Sequence, residues 1–367
     1  MCRIHDPSHS PSSGNWGCSM NVTDRQFKVA LTGDFFEEDG AGKFRDMGLS
    51  VLEAYPRIDH FALSEFRNPI GAEQLDETQG VIVLTPAVTA ETVSRAQNLL
   101  AIVRFGVGYD TVDVGACTEA DVGVFITSGA VDRSVAEATV GWMIGLTHHI
   151  LVKDRLVRSG KWDDRTRYMG GELRDRTFGA VGLGGIARET IRLLGGFGMN
   201  DPIAFDPFVE SKVASDLGVR LVDLDELLST ADFVSIHCPL NDDTKGLIGA
   251  TELALMSQNA FLINTARGGI VEESALKSAL ESGSIAGAAL DCFEQEPVLD
   301  ANPLGELENV LLAPHSIAWT DELFRDIGRR ACAIMIDLAE GKAPSGCVNP
   351  NVFDRRGFQK KWARFKI

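Results

Sequence analysis

FGAVGLGGIARETIRLLGGFGMNDPIAFDPF, residues 178–208, reads as strand, glycine turn, helix and second strand. Ala180 and Val181 lead into Gly182, Leu183 and Gly184. Beyond them Ile186, Thr190 or Ile191, Leu194 and Phe197 recur near one helical face, and Gly195, Gly196 and Gly198 stop the helix. The spacing is that of a dinucleotide fingerprint. A first glycine makes the tight turn, a second lets backbone approach a pyrophosphate, and the third position packs helix on strand. Ala187 fills that third place, the smallest departure from glycine. A helix starting after Gly184 offers unpaired N–H groups and the positive end of its dipole to phosphates. Asp206 follows Gly184 by 206 − 184 = 22 residues at the end of Ile203-Ala204-Phe205, where a carboxylate accepts hydrogen bonds from a ribose diol.

The rest of the 367-residue chain suffices for two domains of ordinary size. No apolar run approaches the roughly 20 residues that span a bilayer. Residues 1–25 are polar and rich in Ser, Pro and Gly, without the order of a signal peptide, and are expected to form a flexible leader. A net charge of −17 opposes binding to nucleic acid or anionic lipid. Seven cysteines without a CxxC pair argue for a reducing cytoplasm and no metal site, with Cys238 and Cys292 read as small buried apolar residues. Arg355, Arg356, Lys360, Lys361, Arg364 and Lys366 read as a solvated tail over 351–367.

Between Phe27 and Thr127 the apolar runs FKVALTGD, VLEAY, GVIVLTP, LLAIVRFG and GVFIT alternate with helix-compatible stretches, which predicts a first parallel α/β domain. In VRFGVGYDTVD (103–113), Gly106 and Gly108 directly follow a strand. Their bare backbone suits a carboxylate ligand, or simply a tight turn. Arg104 either pairs with a substrate acid or finds a local carboxylate. Residues 131–157 read as one helix whose Trp142, Met143, Ile144 and Leu146 exceed a single stripe, so it packs against another domain or a second subunit. His148 and His149 on it are read as structural. After the fingerprint, strands and helices alternate to about Ala313, completing a doubly wound nucleotide domain. The helix ELFRDIGRRACAIMIDLAEG would then return to the first domain.

Three strand ends carry unusual polar groups: Arg267 after LINTA, Glu296 before Pro297, and His315 after LLAP. Strand carboxyl ends in an open α/β sheet line one crevice, so residues distant in sequence converge there. Histidine can take a hydroxyl proton as hydride leaves, a carboxylate can orient the imidazolium, and arginine can grip an acid. His237 ends its strand on the nucleotide sheet and is read as lining the cofactor; Asp291 ends AGAALD and would meet a nicotinamide amide.

At these residues the chain resembles the D-isomer-specific 2-hydroxyacid dehydrogenase family. GAVGLGGIARE resembles its cofactor fingerprint, VSIHCPLNDDTKGLI its next cofactor segment and FLINTARGGIVEESAL its arginine segment. AALDCFEQEP resembles its glutamate segment, APHSIAWT its histidine segment, RFGVGYDTVD its substrate loop and SVAEATVGWMIGL its interdomain and dimer helix. The likeness runs from about Lys28 to Asn349, and no regulatory domain is expected after it.

The resemblance implies two Rossmann-like α/β domains: a doubly wound parallel sheet binding NAD over 128–316, and a flavodoxin-like substrate domain over 26–127 that takes back 317–350. It implies an NAD-dependent homodimer interconverting a small D-2-hydroxy acid and its 2-oxo acid. Arg267 would bind substrate, His315 would be the acid/base and Glu296 its partner. Gly182, Gly184, Gly185, Ile186, Asp206, His237, Pro239, Thr265, Ala266 and Asp291 would contact NAD, with Thr139 reaching it from the hinge helix. Arg104, Gly106, Val107 and Gly108 would face the substrate. The alternative is an NAD(H)-sensing protein of the same fold, as in corepressors resembling this family. Arg57, Arg67 and Arg104 are the candidates for receiving a phosphate, and the sequence places none of them. Trp319 would cover an apolar substituent or pack in the interface.

Overall fold

The computed structural model describes residues 26–366; the expected leader lies outside them. Strands β1 (Phe27–Leu31), β2 (Ile58–Ala62), β3 (Gly80–Val83), β4 (Ala101–Arg104) and β5 (Gly123–Ile126) form a parallel sheet in the order β2-β1-β3-β4-β5. This is the flavodoxin-like order. A second parallel sheet contains β6 (Phe178–Val181), β7 (Ile203–Phe205), β8 (Arg220–Leu221), β9 (Phe233–Ile236), β10 (Phe261–Asn264), β11 (Gly287–Leu290) and β12 (Val310–Leu312). Its order, β12-β11-β10-β9-β6-β7-β8, reverses direction between β6 and β9, so the crevice opens where the fingerprint turn leaves β6. The helices are α1 (Val114–Glu119), α2 (Asp132–Thr147), α3 (Ile150–Arg158), α4 (Gly185–Leu194), α5 (Ser211–Asp216), α6 (Leu224–Thr230), α7 (Ala250–Leu255), α8 (Glu273–Ser282), α9 (Asp321–Ala339) and α10 (Arg356–Phe365).

Central strands are buried along their whole length, as parallel sheets covered on both faces require. The run VLEAY departs from the strand reading. Residues Leu49–Ala54 form a 3-10 helix with Leu52 buried, and the strand is the following IDHFA. That strand is an edge with only its first residue buried, so apolar content did not mark it.

The helix expected over 131–157 is broken. α2 ends at Thr147, His149 adopts a left-handed φ of 51°, and α3 leaves at 60°. Trp142, Met143 and Leu146 join the core that holds Phe178, Ala187 and Phe261. The surplus apolar surface of α2 is therefore met inside the chain, because α2 packs across α4 and the ends of β10 to β12. No single described helix is long and apolar enough to cross a membrane.

α9 returns to the first sheet, where Phe324, Ile327, Ala331 and Met335 pack with Val29, Ile82 and Val103. Gly328 permits this: a Cβ there would lie 1.6 Å from the Met47 carbonyl oxygen. Residues 351–367 do not form a solvated tail among those described. Phe358 and Trp362, one helical turn apart on α10, are buried in the same core, and the Trp362 indole donates to the Leu338 carbonyl at 2.7 Å. Lys361 donates to the Ala120 carbonyl at 2.7 Å and Arg355 to Asp121 at 2.6 Å, and burial pushes the Lys361 ammonium down to about 8. The basic count hid an i, i+4 aromatic pair, the usual signature of a packed helix face. Trp362→Ala is expected to cost about 3–5 kcal/mol, read as a lower urea midpoint with unchanged slope.

Candidate active site

Gly182 takes φ +97°, and a Cβ on it would lie 2.8 Å from the Cys238 nitrogen, so the turn after β6 needs glycine. Gly184 has open space where a side chain would stand, and Ala187 is fully buried where α4 meets the sheet. The first N–H groups of α4 have no intrahelical acceptor and face this opening. A Cβ on Gly185 would lie 2.1 Å from the Asp132 carboxylate, which is how closely α2 approaches α4. Asp206 closes the turn: its Oδ2 accepts from the Leu183 N–H at 2.8 Å and its Oδ1 from the Phe208 N–H at 2.9 Å. Remaining lone pairs on both oxygens are left for a ribose diol.

Further polar groups on the β9 and β10 ends have no partner among the described residues: His237 Nε2 and Thr265 Oγ1 are both closed from solvent. Burial pushes His237 down to about 4, so the ring is neutral at pH 7. Unpaired buried donors and acceptors beside a glycine cradle fit a dinucleotide. Thr139 is fully buried and its hydroxyl donates back to the Val135 carbonyl at 2.9 Å, and Asp291 engages one carboxylate oxygen on its own chain. Asp291 Oδ1 accepts from the N–H groups of Ser316 (2.8 Å) and Ile317 (3.1 Å). Burial raises its carboxyl despite those bonds.

That anchoring holds His315 in a left-handed conformation, φ 52°, beyond β12. A non-glycine residue held there at a strand end marks a constrained site. His315 Nδ1 lies 2.7 Å from Glu296 Oε2, and Glu296 Oε1 accepts from the Phe293 N–H at 2.9 Å. Burial works to raise the Glu296 carboxyl, but the bonds to His315 and Phe293 outweigh it and hold it below the usual range. With Nδ1 bound to a carboxylate, Nε2 is the nitrogen left to exchange a proton with a ligand.

Arg267 reaches the same crevice from β10. Its Nε donates to Asp110 Oδ1 at 2.8 Å and its Nη1 to the Ala266 carbonyl at 2.7 Å. Asn264 builds the turn below it, donating to the Arg267 carbonyl at 2.8 Å and accepting from the Ala266 N–H at 3.0 Å. The guanidinium lies against Gly108: a Cβ there would sit 1.2 Å from Nη2. The 106–108 loop of the first domain and Arg267 of the second thus face each other. Asp110 and Asn264 escaped the sequence reading; Asp110 lies within the quoted loop, and Asn264 is the lone polar residue ending FLIN, which was the available signal.

Arg104 takes the local alternative. Its Nε donates to the Gly108 carbonyl at 2.8 Å and its Nη1 to the Val83 carbonyl at 2.8 Å and to that of Leu84. Burial, with Arg267 nearby, pushes it down to about 10. It therefore shapes the loop, still charged at neutral pH, with its guanidinium turned to backbone carbonyls. Gly106 adopts φ +144°, and the Thr127 hydroxyl donates to its carbonyl at 3.0 Å. Val107 packs against the first-domain core, as does Ile186 of the fingerprint. Pro239 is exposed beside the crevice. Trp319 is 55% exposed, with ring centroids 5.7 Å from Phe44 and 5.2 Å from Phe324. Gly108→Ala must displace the guanidinium, and is expected to raise KM for an acid substrate about tenfold with a smaller effect on kcat, in steady-state assays.

Residues 140–316 match the family described as D-isomer specific 2-hydroxyacid dehydrogenase, NAD binding domain. The chain is 34% identical over 326 residues to a glyoxylate reductase of Korarchaeum cryptofilum, covering 86% of this chain and 96% of that protein. It is 40% identical over 267 residues to a D-3-phosphoglycerate dehydrogenase of Methanocaldococcus jannaschii, covering 72% of this chain and 50% of that protein. It thus spans about half the length of the phosphoglycerate dehydrogenases it matches. Among solved structures, a glyoxylate reductase from Paecilomyes thermophila superposes with a TM-score of 0.75 at 28% identity, over 89% of this chain and 99% of that one.

Proposed function

This chain belongs to the D-isomer-specific 2-hydroxyacid dehydrogenase family, and from that premise we propose that it interconverts a small D-2-hydroxy acid and its 2-oxo acid with NAD. The observation that carries this reading is the His315–Glu296 pair standing across the crevice from Arg267 and the 106–108 loop. Nicotinamide, when bound, supplies or accepts the hydride. The substrate carboxylate is gripped by Arg267 and the loop N–H groups, which orients the adjacent carbon. His315 Nε2 gives a proton to the carbonyl oxygen in reduction and takes it from the hydroxyl in oxidation, while Glu296 stabilises the imidazolium form. Residues 128–316 form the NAD domain in this reading. Residues 26–127, α9 and its following loop to 350, and α10 form the substrate domain. A cytoplasmic setting is consistent with the free Cys117, Cys238, Cys292, Cys332 and Cys347.

The test is NADH oxidation with glyoxylate, hydroxypyruvate, pyruvate and phenylpyruvate. Turnover of at least one is expected. NADH binding without turnover of any would favour the sensing alternative.

The homodimer is also proposed, through the α3 end of the 131–157 region and the segment that follows it. Trp142 is buried within the chain, so it is no probe of association. Exposed apolar groups cluster instead on α3 and the segment after it: Ile150, Val157, Trp162 and Met169, exposed by 53%, 64%, 62% and 80%. Light scattering at micromolar concentration is expected to give twice the chain mass, and Met169→Asp with Val157→Asp to shift it toward monomer.

A further inference from the structure

The carboxyl edge of the first sheet decides what the far end of the substrate meets. β3 lies beside β4 and β1 beside β3, so the ends of those strands line up next to the 106–108 loop at steps of about 4.8 Å. A substrate held there by its carboxylate directs its remaining carbons over Leu84-Thr85 and Thr32-Gly33-Asp34. Asp34 is fixed in this row: its Oδ2 accepts from the Thr85 N–H at 2.9 Å and from the Thr85 hydroxyl. Its Oδ1 is closed from solvent and has no hydrogen-bond partner among the described residues. The remaining neighbours are apolar, with Leu84 and Val107 packed on the core and Phe105 buried with its ring 5.0 Å from that of Phe35.

The arginines the sequence offers for a phosphate lie away from this row or are already bonded. Arg57 precedes β2 and so lies at the amino edge of the sheet, away from the 106–108 loop at its carboxyl edge. Arg67 is paired with both Glu65 and Glu73. Arg104 is spent on backbone carbonyls and already shares its surroundings with Arg267, Asp110 and Asp34. Arg267 is matched by Asp110 and is the group that grips the substrate carboxylate.

We infer that the substrate is a 2-oxo acid whose far end is uncharged, and that Asp34 excludes a phosphate ester from this site. The inference rests on the dehydrogenase reading and narrows it. A second, doubly charged anion would be set beside a carboxylate with no uncommitted arginine among the described residues of this row to receive it, and like charges facing each other without water between are strongly disfavoured.

Hydroxypyruvate and its 3-phosphate share one carbon skeleton and differ only in that charge. With NADH, kcat/KM is expected to favour hydroxypyruvate by about 10²-fold, the gap narrowing as salt is raised. Asp34→Asn keeps the shape and one acceptor, and should raise the ratio of kcat/KM for the phosphate ester to that for hydroxypyruvate about tenfold. Equal or better use of the ester, or an unchanged ratio in Asp34→Asn, overturns the proposal. Calorimetric titration of the NADH-loaded protein with glycerate and with 3-phosphoglycerate separates the two levels of reading. Preference for glycerate without any turnover leaves the exclusion standing and overturns the catalytic reading, whereas tighter binding of 3-phosphoglycerate overturns the exclusion.

Discussion

His315→Ala is expected to lose roughly 10²–10⁴-fold in turnover while NADH still binds, measured by steady-state rates beside a fluorescence titration of the cofactor. The residue supplies proton transfer and lies beyond β12, whereas the dinucleotide cradle is built from β6, α4 and Asp206. The proton it carries gives the prediction a sign in pH. Glu296 is held ionised by its bonds to His315 and Phe293, so over the neutral range it is a fixed negative charge 2.7 Å from the imidazole. Reduction needs the ring protonated and oxidation needs it neutral, so 2-oxo acid reduction falls as pH rises while hydroxy-acid oxidation grows, provided hydride transfer limits the rate. Glu296→Gln removes the charge and keeps the shape. Single-turnover reduction is then expected to fall about tenfold or more, because the charge that stabilises the imidazolium form is gone. An unchanged single-turnover rate in Glu296→Gln, or near-normal turnover in His315→Ala, would mean that another group handles the proton.

Selectivity for NAD over NADP is the second large effect. Asp206 stands at the end of β7 with both oxygens tied to backbone N–H groups, so it cannot swing away from a 2′-phosphate. Like-charge juxtaposition of that kind costs several kcal/mol, which converts to a ratio of about 10²–10⁴ in kcat/KM for NADH over NADPH. Asp206→Ser should narrow the ratio mainly through KM for NADPH. The same substitution removes an acceptor from the Leu183 N–H, so some loss with NADH is expected as well. Equal efficiency with both cofactors in the wild-type protein would show that the carboxylate does not face the ribose.

Much of this molecule is written locally. The turn at Gly182, the buried Ala187 and the acid after β7 are consequences of spacing within about thirty residues of chain, because a strand, a turn and a helix N-terminus are set by near neighbours. Placing Arg267, Glu296 and His315 at strand ends likewise needed only the alternation of apolar runs, since parallel strands deliver their carboxyl ends to one edge. Family likeness then supplied their roles.

What the local pattern did not contain is where charges and apolar faces find partners. Arg267 is matched by Asp110, 157 residues away, and Arg104 turns inward to carbonyls of an adjacent strand. Thr139 is fully buried and bonded back to Val135, and one oxygen of Asp291 holds the loop after His315. Trp142 and Trp362 are both buried within one chain, one in a helix read as an interface and the other in a segment read as solvated. Each of these outcomes depends on packing between segments far apart in sequence. The free energy of pairing a charge or covering an indole is set by what the fold brings to it, and composition and spacing specify only that a partner is required.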